Sequence, residues 1–176
     1  PGRVSPGDVA IGLASGGVHS NGYTLVRKLV ARSGRGLDEH VEALGETIGE
    51  ALLRPTRIYV NAVRSVLRAY IRKRVVSGMA HITGGGLKEN IERVLPDDCD
   101  LSINRAAWTP PPVFDFLRGL GTTKAEMFKV FNMGIGYVFL VRPYFAQRIV
   151  RRLKRAGEEA MIIGEVKRGK GRVELS

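Results

Sequence analysis

The sequence predicts a layered α+β domain, a mixed β-sheet covered by helices. Strand-like runs alternate with amphipathic helical runs one at a time rather than in blocks, the pattern of a single layered domain. The most apolar run, "GIGYVFLV" at 134–141, has strand length and falls far short of the roughly 20 residues a membrane helix needs. The 176 residues are 44% hydrophobic and 26% charged, and a chain of that size buries roughly 70% of its unfolded-state surface without a disulfide or metal staple.

The elements follow in order. Residues 1–7 read as the remnant of an interdomain linker entering a domain of residues 8–176, because the chain opens on "PGRVSPGD" rather than a methionine. A strand is expected at 8–14 ("DVAIGLA") and a helix at 22–32, where apolar residues recur at helical spacing. The segment 33–57 is the least regular and is expected to cross the surface with one short helix. Helices are expected at 59–73, 85–95, 111–120, 123–131 and 144–157, the last closed by Gly157. Strands are expected at 75–82, 99–106, 134–141, 160–166 and 172–176.

The single cysteine, Cys99, excludes an intramolecular disulfide and is expected to be a small core thiol. The formal net charge is +11, from 28 basic and 17 acidic residues. Arg64, Arg68 and Arg72 share one helix face, Arg148 to Arg155 crowd another helix, and "KRGKGR" at 167–172 marks a tight turn. The aromatics stand mostly inside apolar runs rather than among these cations, so the charge is expected to be solvated surface and nucleic acid is not an expected partner. No membrane partner is expected either.

Three glycine-rich joints touch strand ends: "GLASGGVHSNGYTL" (12–25), "AHITGGGLKENI" (80–91) and "FNMGIGYVFLV" (131–141). Glycine lets backbone N–H groups approach a ligand, and a strand-to-helix joint suits an anion such as a phosphate. Each joint has a plainer reading. "NG" serves as a turn, "GGG" as a close-packed helix start, and a histidine at a strand end as a hydrogen-bonded structural residue. No joint matches a P-loop or a strict dinucleotide fingerprint, and the chain carries neither a Cys/His ligand cluster nor a G-x-S-x-G elbow.

With "LLRPTRIYV" and "AAWTPPPVFDFL", these joints resemble the C-terminal half of the aminoimidazole ribonucleotide synthetase family, the phosphoribosylformylglycinamidine cyclo-ligases. The pairing of H-S-N-G-Y with A-H-I-T-G-G-G is the specific part, and the likeness runs in order from about Pro6 to the C-terminus. The resemblance implies the C-terminal domain fold of that superfamily and an ATP-dependent closure of formylglycinamidine ribonucleotide to aminoimidazole ribonucleotide in purine biosynthesis. It further implies a cytoplasmic homodimer, with ATP and Mg²⁺ bound mainly by an N-terminal half outside this chain. No metal ligand is expected here, and the chain alone is expected to be inactive.

By position, the resemblance assigns His81 and His19 as candidate catalytic residues. Ser15, Ser20, Asn21, Gly22, Thr83, Gly84, Gly85, Gly86 and Asn132 become candidate substrate or phosphate contacts. Gly16 stands where relatives usually carry a second serine, and Lys88 where a proline is common. A non-catalytic module binding a phosphometabolite or nucleic acid, or another ATP-dependent member of the superfamily, remain the alternatives.

Overall fold

A computed structural model describes residues 3–176, so the first two residues of the stretch expected to be a linker lie outside the description. The expected strands and helices are present with ends shifted by a few residues. In chain order they are β1 (Val9–Ala14), α1 (Tyr23–Ser33), β2 (His40–Val41), β3 (Glu46–Thr47), α2 (Ile48–Leu53), α3 (Val60–Ala69), β4 (Val76–His81) and α4 (Gly86–Glu92). There follow β5 (Cys99–Ile103), a 3-10 turn, α5 (Pro112–Gly119), α6 (Lys124–Val130), β6 (Ile135–Val141), α7 (Pro143–Arg155), β7 (Ala160–Arg168) and β8 (Val173–Leu175).

Six strands form one sheet in the order β4-β6-β1-β7-β5-β8. Every neighbouring pair is antiparallel except β5 with β8, which makes the sheet mixed. β6 explains its own unbroken apolar run. It lies between β4 and β1 with both faces buried: Val138 and Leu140 pack toward Leu87 and Ile91 of α4, while Phe139 and Val141 pack toward α3 and α7. β5, with alternating burial, is a one-sided strand by comparison.

α7 shows how a helix is bound to this sheet. Pro143 starts it, where a missing N–H costs nothing. Ala146, Ile149, Val150 and Leu153, at i, i+3, i+4 and i+7, are its buried stripe. Burial of each larger side chain contributes about 1.5–3 kcal/mol. Gly157, at φ 83, takes the left-handed position just past the helix end.

The segment 33–57 holds more order than expected. β2 and β3 form a two-stranded ribbon, and α2 begins with a full capping box: Glu50 N–H donates to Thr47 Oγ1 (3.2 Å), and Thr47 N–H donates to Glu50 Oε2 (2.8 Å). The T-x-x-E signature at 47–50 encodes that start. α1, α2, α5 and α6 then close a core of their own around Leu29, Ile48, Phe114, Leu117, Met127 and Phe131. It sits off the end of the sheet where β1 finishes and β6 begins. A part-buried pair, Asp8 with Arg142 at 2.8 Å, ties the opposite ends of those two strands.

Candidate functional site

Sheet order decides where the glycine-rich joints go. β6 is antiparallel to both β1 and β4 and lies between them. The C-terminal ends of β1 and β4 and the N-terminal end of β6 therefore share one edge, with Ala14 opposite Ile135 and His81 opposite Tyr137. Segments far apart in sequence become one wall.

Asn132 is the bolt of that wall. It is fully buried. Its Nδ2 donates to the Gly17 carbonyl (2.9 Å), and its Oδ1 accepts from Gly134 N–H (2.8 Å) and lies 2.8 Å from Ser15 Oγ. Ser15 N–H in turn donates to the Gly134 carbonyl at 2.8 Å. Ser15 and Asn132, expected as substrate or phosphate contacts, are here buried and bonded to each other.

His19 is likewise internal. It is 2% exposed and holds φ 56, the left-handed region. Its Nε2 accepts from the backbone N–H groups of Gly16 (3.2 Å) and Arg57 (3.5 Å), which assigns the ring proton to Nδ1. Burial, then the neighbouring His81 and Arg57 charges, lower its pKa from 6.5 to about 4. The ring is therefore a neutral staple across the loop at physiological pH. Ser20 is exposed, its hydroxyl 2.8 Å from Thr56 Oγ1, and Asn21 is half-buried. Gly22 caps α1 at φ 75, and a Cβ there would run into Phe131 and Val130. Packing demands that glycine.

In the second joint, Asn90 organises the loop. Its Oδ1 accepts from Thr83 Oγ1 (3.1 Å), and its Nδ2 faces the carbonyls of Thr83 (3.3 Å), Gly84 (3.1 Å) and Gly86 (2.7 Å). The three glycines divide. A Cβ on buried Gly86 would strike the Phe128 and Phe131 carbonyls, and one on Gly85 would meet the Glu89 side chain. Gly84 alone opens onto free space. With seven residues, α4 is too short to supply a strong helix dipole.

Of the two candidate histidines, His81 is the one that reaches solvent. Its ring stacks on Tyr137 (centroids 6.2 Å, 29°) and meets Tyr59 edge-on (6.0 Å). Together with Thr56, Arg57, Val63 and Arg64 these rings line a cleft of about 450 Å³. Tyr59 is buried, and its hydroxyl donates to the Ala14 carbonyl (2.8 Å). Burial drives the Tyr59 and Tyr137 phenols above their usual pKa, so both stay protonated. Gly136 leaves the room: a Cβ there would occupy the space of the Tyr59 hydroxyl and the His19 ring. Arg57 is anchored by Glu158 (3.0 Å) and the Gly157 carbonyl (3.0 Å).

Sequence reasoning names none of Tyr59, Tyr137, Arg57 and Asn90 as a site residue, and places Gly136 in the third joint without giving it a role. Asn90 does leave a signal: it falls on the apolar stripe of α4, beside Leu87 and Ile91, where a polar residue has to satisfy itself locally. Among the described residues no three His, Cys, Asp or Glu side chains converge on a metal-sized point.

Residues 5–176 match the family described as AIR synthase related protein, C-terminal domain. The chain belongs to that family. Among curated relatives, this AIR synthase related domain is 46% identical to the phosphoribosylformylglycinamidine cyclo-ligase of Alkaliphilus metalliredigens over 175 residues, covering 98% of the chain and 49% of the relative. To the enzyme of the same name in Geobacillus thermodenitrificans it is 49% identical over 170 residues, covering 96% and 48%. The domain thus spans about half the length of the curated relatives it matches. Thiamine-monophosphate kinase from Stenotrophomonas maltophilia shares the fold, with TM-score 0.65 at 14% identity over 99% of this chain and 52% of that one.

Proposed function

We propose that this domain is the C-terminal part of an ATP-dependent cyclo-ligase that closes formylglycinamidine ribonucleotide to aminoimidazole ribonucleotide, releasing ADP and phosphate, in purine biosynthesis. The observation that carries the reading is the gathering of three glycine-rich joints, 117 residues apart at their furthest hydrogen-bonded pair, Ser15 and Asn132, onto the edge of a cleft lined by His81. The curated relatives' name supports the same reaction.

In that reaction the formyl amide oxygen takes the γ-phosphoryl group of ATP, and ADP leaves. An amidine nitrogen then attacks the activated carbon, the C–O bond breaks, and phosphate departs with the oxygen. A proton comes off the ring nitrogen. Such chemistry rests on positioning and on neutralising charge. Arg57 and Arg64 put positive charge at the cleft wall, Ser20 and Thr56 offer hydroxyls at its rim, and Gly84 offers unobstructed backbone. His81, held by two tyrosines, takes the ring proton. His19, neutral and buried, keeps the Gly16 and Arg57 backbones in place. ATP and Mg²⁺ would be held mainly by the N-terminal half, the nucleotide supplying the phosphoryl group and the metal neutralising its charge. The full protein works in the cytoplasm as a homodimer built through that half.

The test is ADP release by the product of the whole reading frame containing this chain, with formylglycinamidine ribonucleotide and ATP. ADP release that depends on the substrate is expected, and His81→Ala lowers kcat by about 10²–10⁴-fold, the usual worth of a proton-transfer group. A folded protein with no substrate-dependent ADP release overturns the reaction; full activity in His81→Ala overturns the histidine's role.

A further inference from the structure

The outer faces of α3 and α7 are the most lopsided surface of the molecule. Residues 60–74 carry Arg64, Arg68, Arg72, Lys73 and Arg74; residues 143–157 carry Arg148, Arg151, Arg152, Lys154 and Arg155. Neither stretch contains an aspartate or glutamate. Among the described residues none of these ten cations pairs with a carboxylate, whereas Arg3, Arg35, Arg54, Arg57, Arg118 and Arg142 all do. The two helices lie side by side on one face of the sheet, joined by an edge-on contact of Tyr70 with Phe145 at 5.5 Å. Beside Tyr70, Arg148, Arg151, Arg152 and Arg155 ring an open cleft of about 580 Å³.

Aromatic groups stand among these charges. Tyr144 is 72% exposed, with the Arg148 guanidinium 5.2 Å from its ring centre. On α7, Tyr144, Arg148, Arg151 and Arg155 follow at i, i+4, i+7 and i+11, a line opposite the buried stripe. From sequence these cations read as scattered surface charge with the aromatics turned inward. Folding brings the two helices together and leaves Tyr144 outside.

We propose that the α3–α7 face binds single-stranded nucleic acid, RNA above all, through its phosphate backbone, with a base stacked on Tyr144. This goes beyond the cyclo-ligase reading and uses none of its cleft residues but Arg64. Arginines three and four residues apart, with Cβ atoms about 5–6 Å from one another along a helix, present guanidinium groups to a run of phosphates, and an exposed aromatic within a cationic track is what a strand with free bases exploits. An acidic protein surface would meet the charges and leave the tyrosine unused.

The test is fluorescence anisotropy of an end-labelled oligoribonucleotide of mixed sequence with the product of the whole reading frame containing this chain. Binding is expected to weaken steeply between about 50 and about 200 mM KCl. Replacing Arg148, Arg151, Arg152 and Arg155 with glutamine should cut affinity at least tenfold and flatten the log–log salt slope by about 3, at roughly 0.7 for each phosphate no longer neutralised. A control replacing Lys167, Arg168, Lys170 and Arg172 with glutamine removes the same charge from the end of β7 and the turn after it, outside the α3–α7 face, and should leave affinity within about twofold. Tyr144→Ala should weaken binding at least about fivefold. Equal losses in the two quadruple variants overturn the proposal, because net charge alone then explains binding. So does absence of RNA binding at low salt, an unaffected Tyr144→Ala, or tighter binding to phosphatidylserine vesicles or polyglutamate than to RNA. All these side chains lie at the surface, and a melting temperature no lower than the wild type's in each variant shows that the fold is intact.

Discussion

His19 shows how much a single side chain's surroundings decide its role. An exposed histidine titrates near 6.5, but this one is desolvated and its pKa falls to about 4. The sign of the consequence follows from linkage: above pH 6.5 the ring is neutral in both folded and unfolded chain and costs nothing. Between 6.5 and about 4 the unfolded chain takes up a proton that the folded one refuses, so stability falls across that window. Thermal melts of the wild type should therefore lose more stability from pH 7 to about pH 4.5 than those of His19→Asn. Asparagine tolerates the left-handed backbone, so the variant isolates the titration. Equal pH dependence in the two proteins would move the effect to other groups.

At the scale of elements, β6 carries the cleft's tolerance for change. Gly136 leaves the volume that the Tyr59 hydroxyl and His19 ring occupy, and Tyr59 in turn bonds the end of β1 through the Ala14 carbonyl. Gly136→Ala should cost at least about 2 kcal/mol in chemical denaturation, the cost of overpacking a filled core. Tyr59→Phe alone should cost about 1 kcal/mol for the missing hydrogen bond. Because phenylalanine removes the atom that a Cβ at 136 would strike first, the double variant should be more stable than the sum of the two losses. Strict additivity in that cycle would mean that the strand shifts as a whole instead. The same joint explains why the candidate residues sort as they do. Ser15, His19, Gly22, Gly86 and Asn132 are consumed in building the wall; His81, Gly84 and Ser20 are left at its surface.

For the whole molecule the dominant fact is an uneven charge of +11. Ten cations on two adjacent helices and the turn that follows α3, with no acid among them, repel one another, which opposes compaction. Raising salt should therefore raise the melting temperature, and neutralising the four α7 arginines should shrink that increase. A melting temperature indifferent to salt in both proteins would show that the repulsion is already relaxed by the spread of the long side chains.

Much of this is legible in the residues themselves. The order of strands and helices follows from apolar period, the end of α7 from a glycine, and the three joints from glycines at strand ends, because all of these are local properties of a few neighbouring residues. The start of α2 is equally local, written in a T-x-x-E pattern at 47–50. What only the tertiary structure decided is which joint residues face the cleft and which hold it together. That choice depends on β6 pairing between β4 and β1, and on Asn132 reaching Ser15 across the fold. Likewise the sequence determined that α3 and α7 are basic, while their side-by-side packing made one face of them. Hydrophobic periodicity is encoded within a turn or two of chain. Strand order and long-range hydrogen bonds are settled by whole-sheet packing, where the energy of burial is collected over residues far apart in sequence.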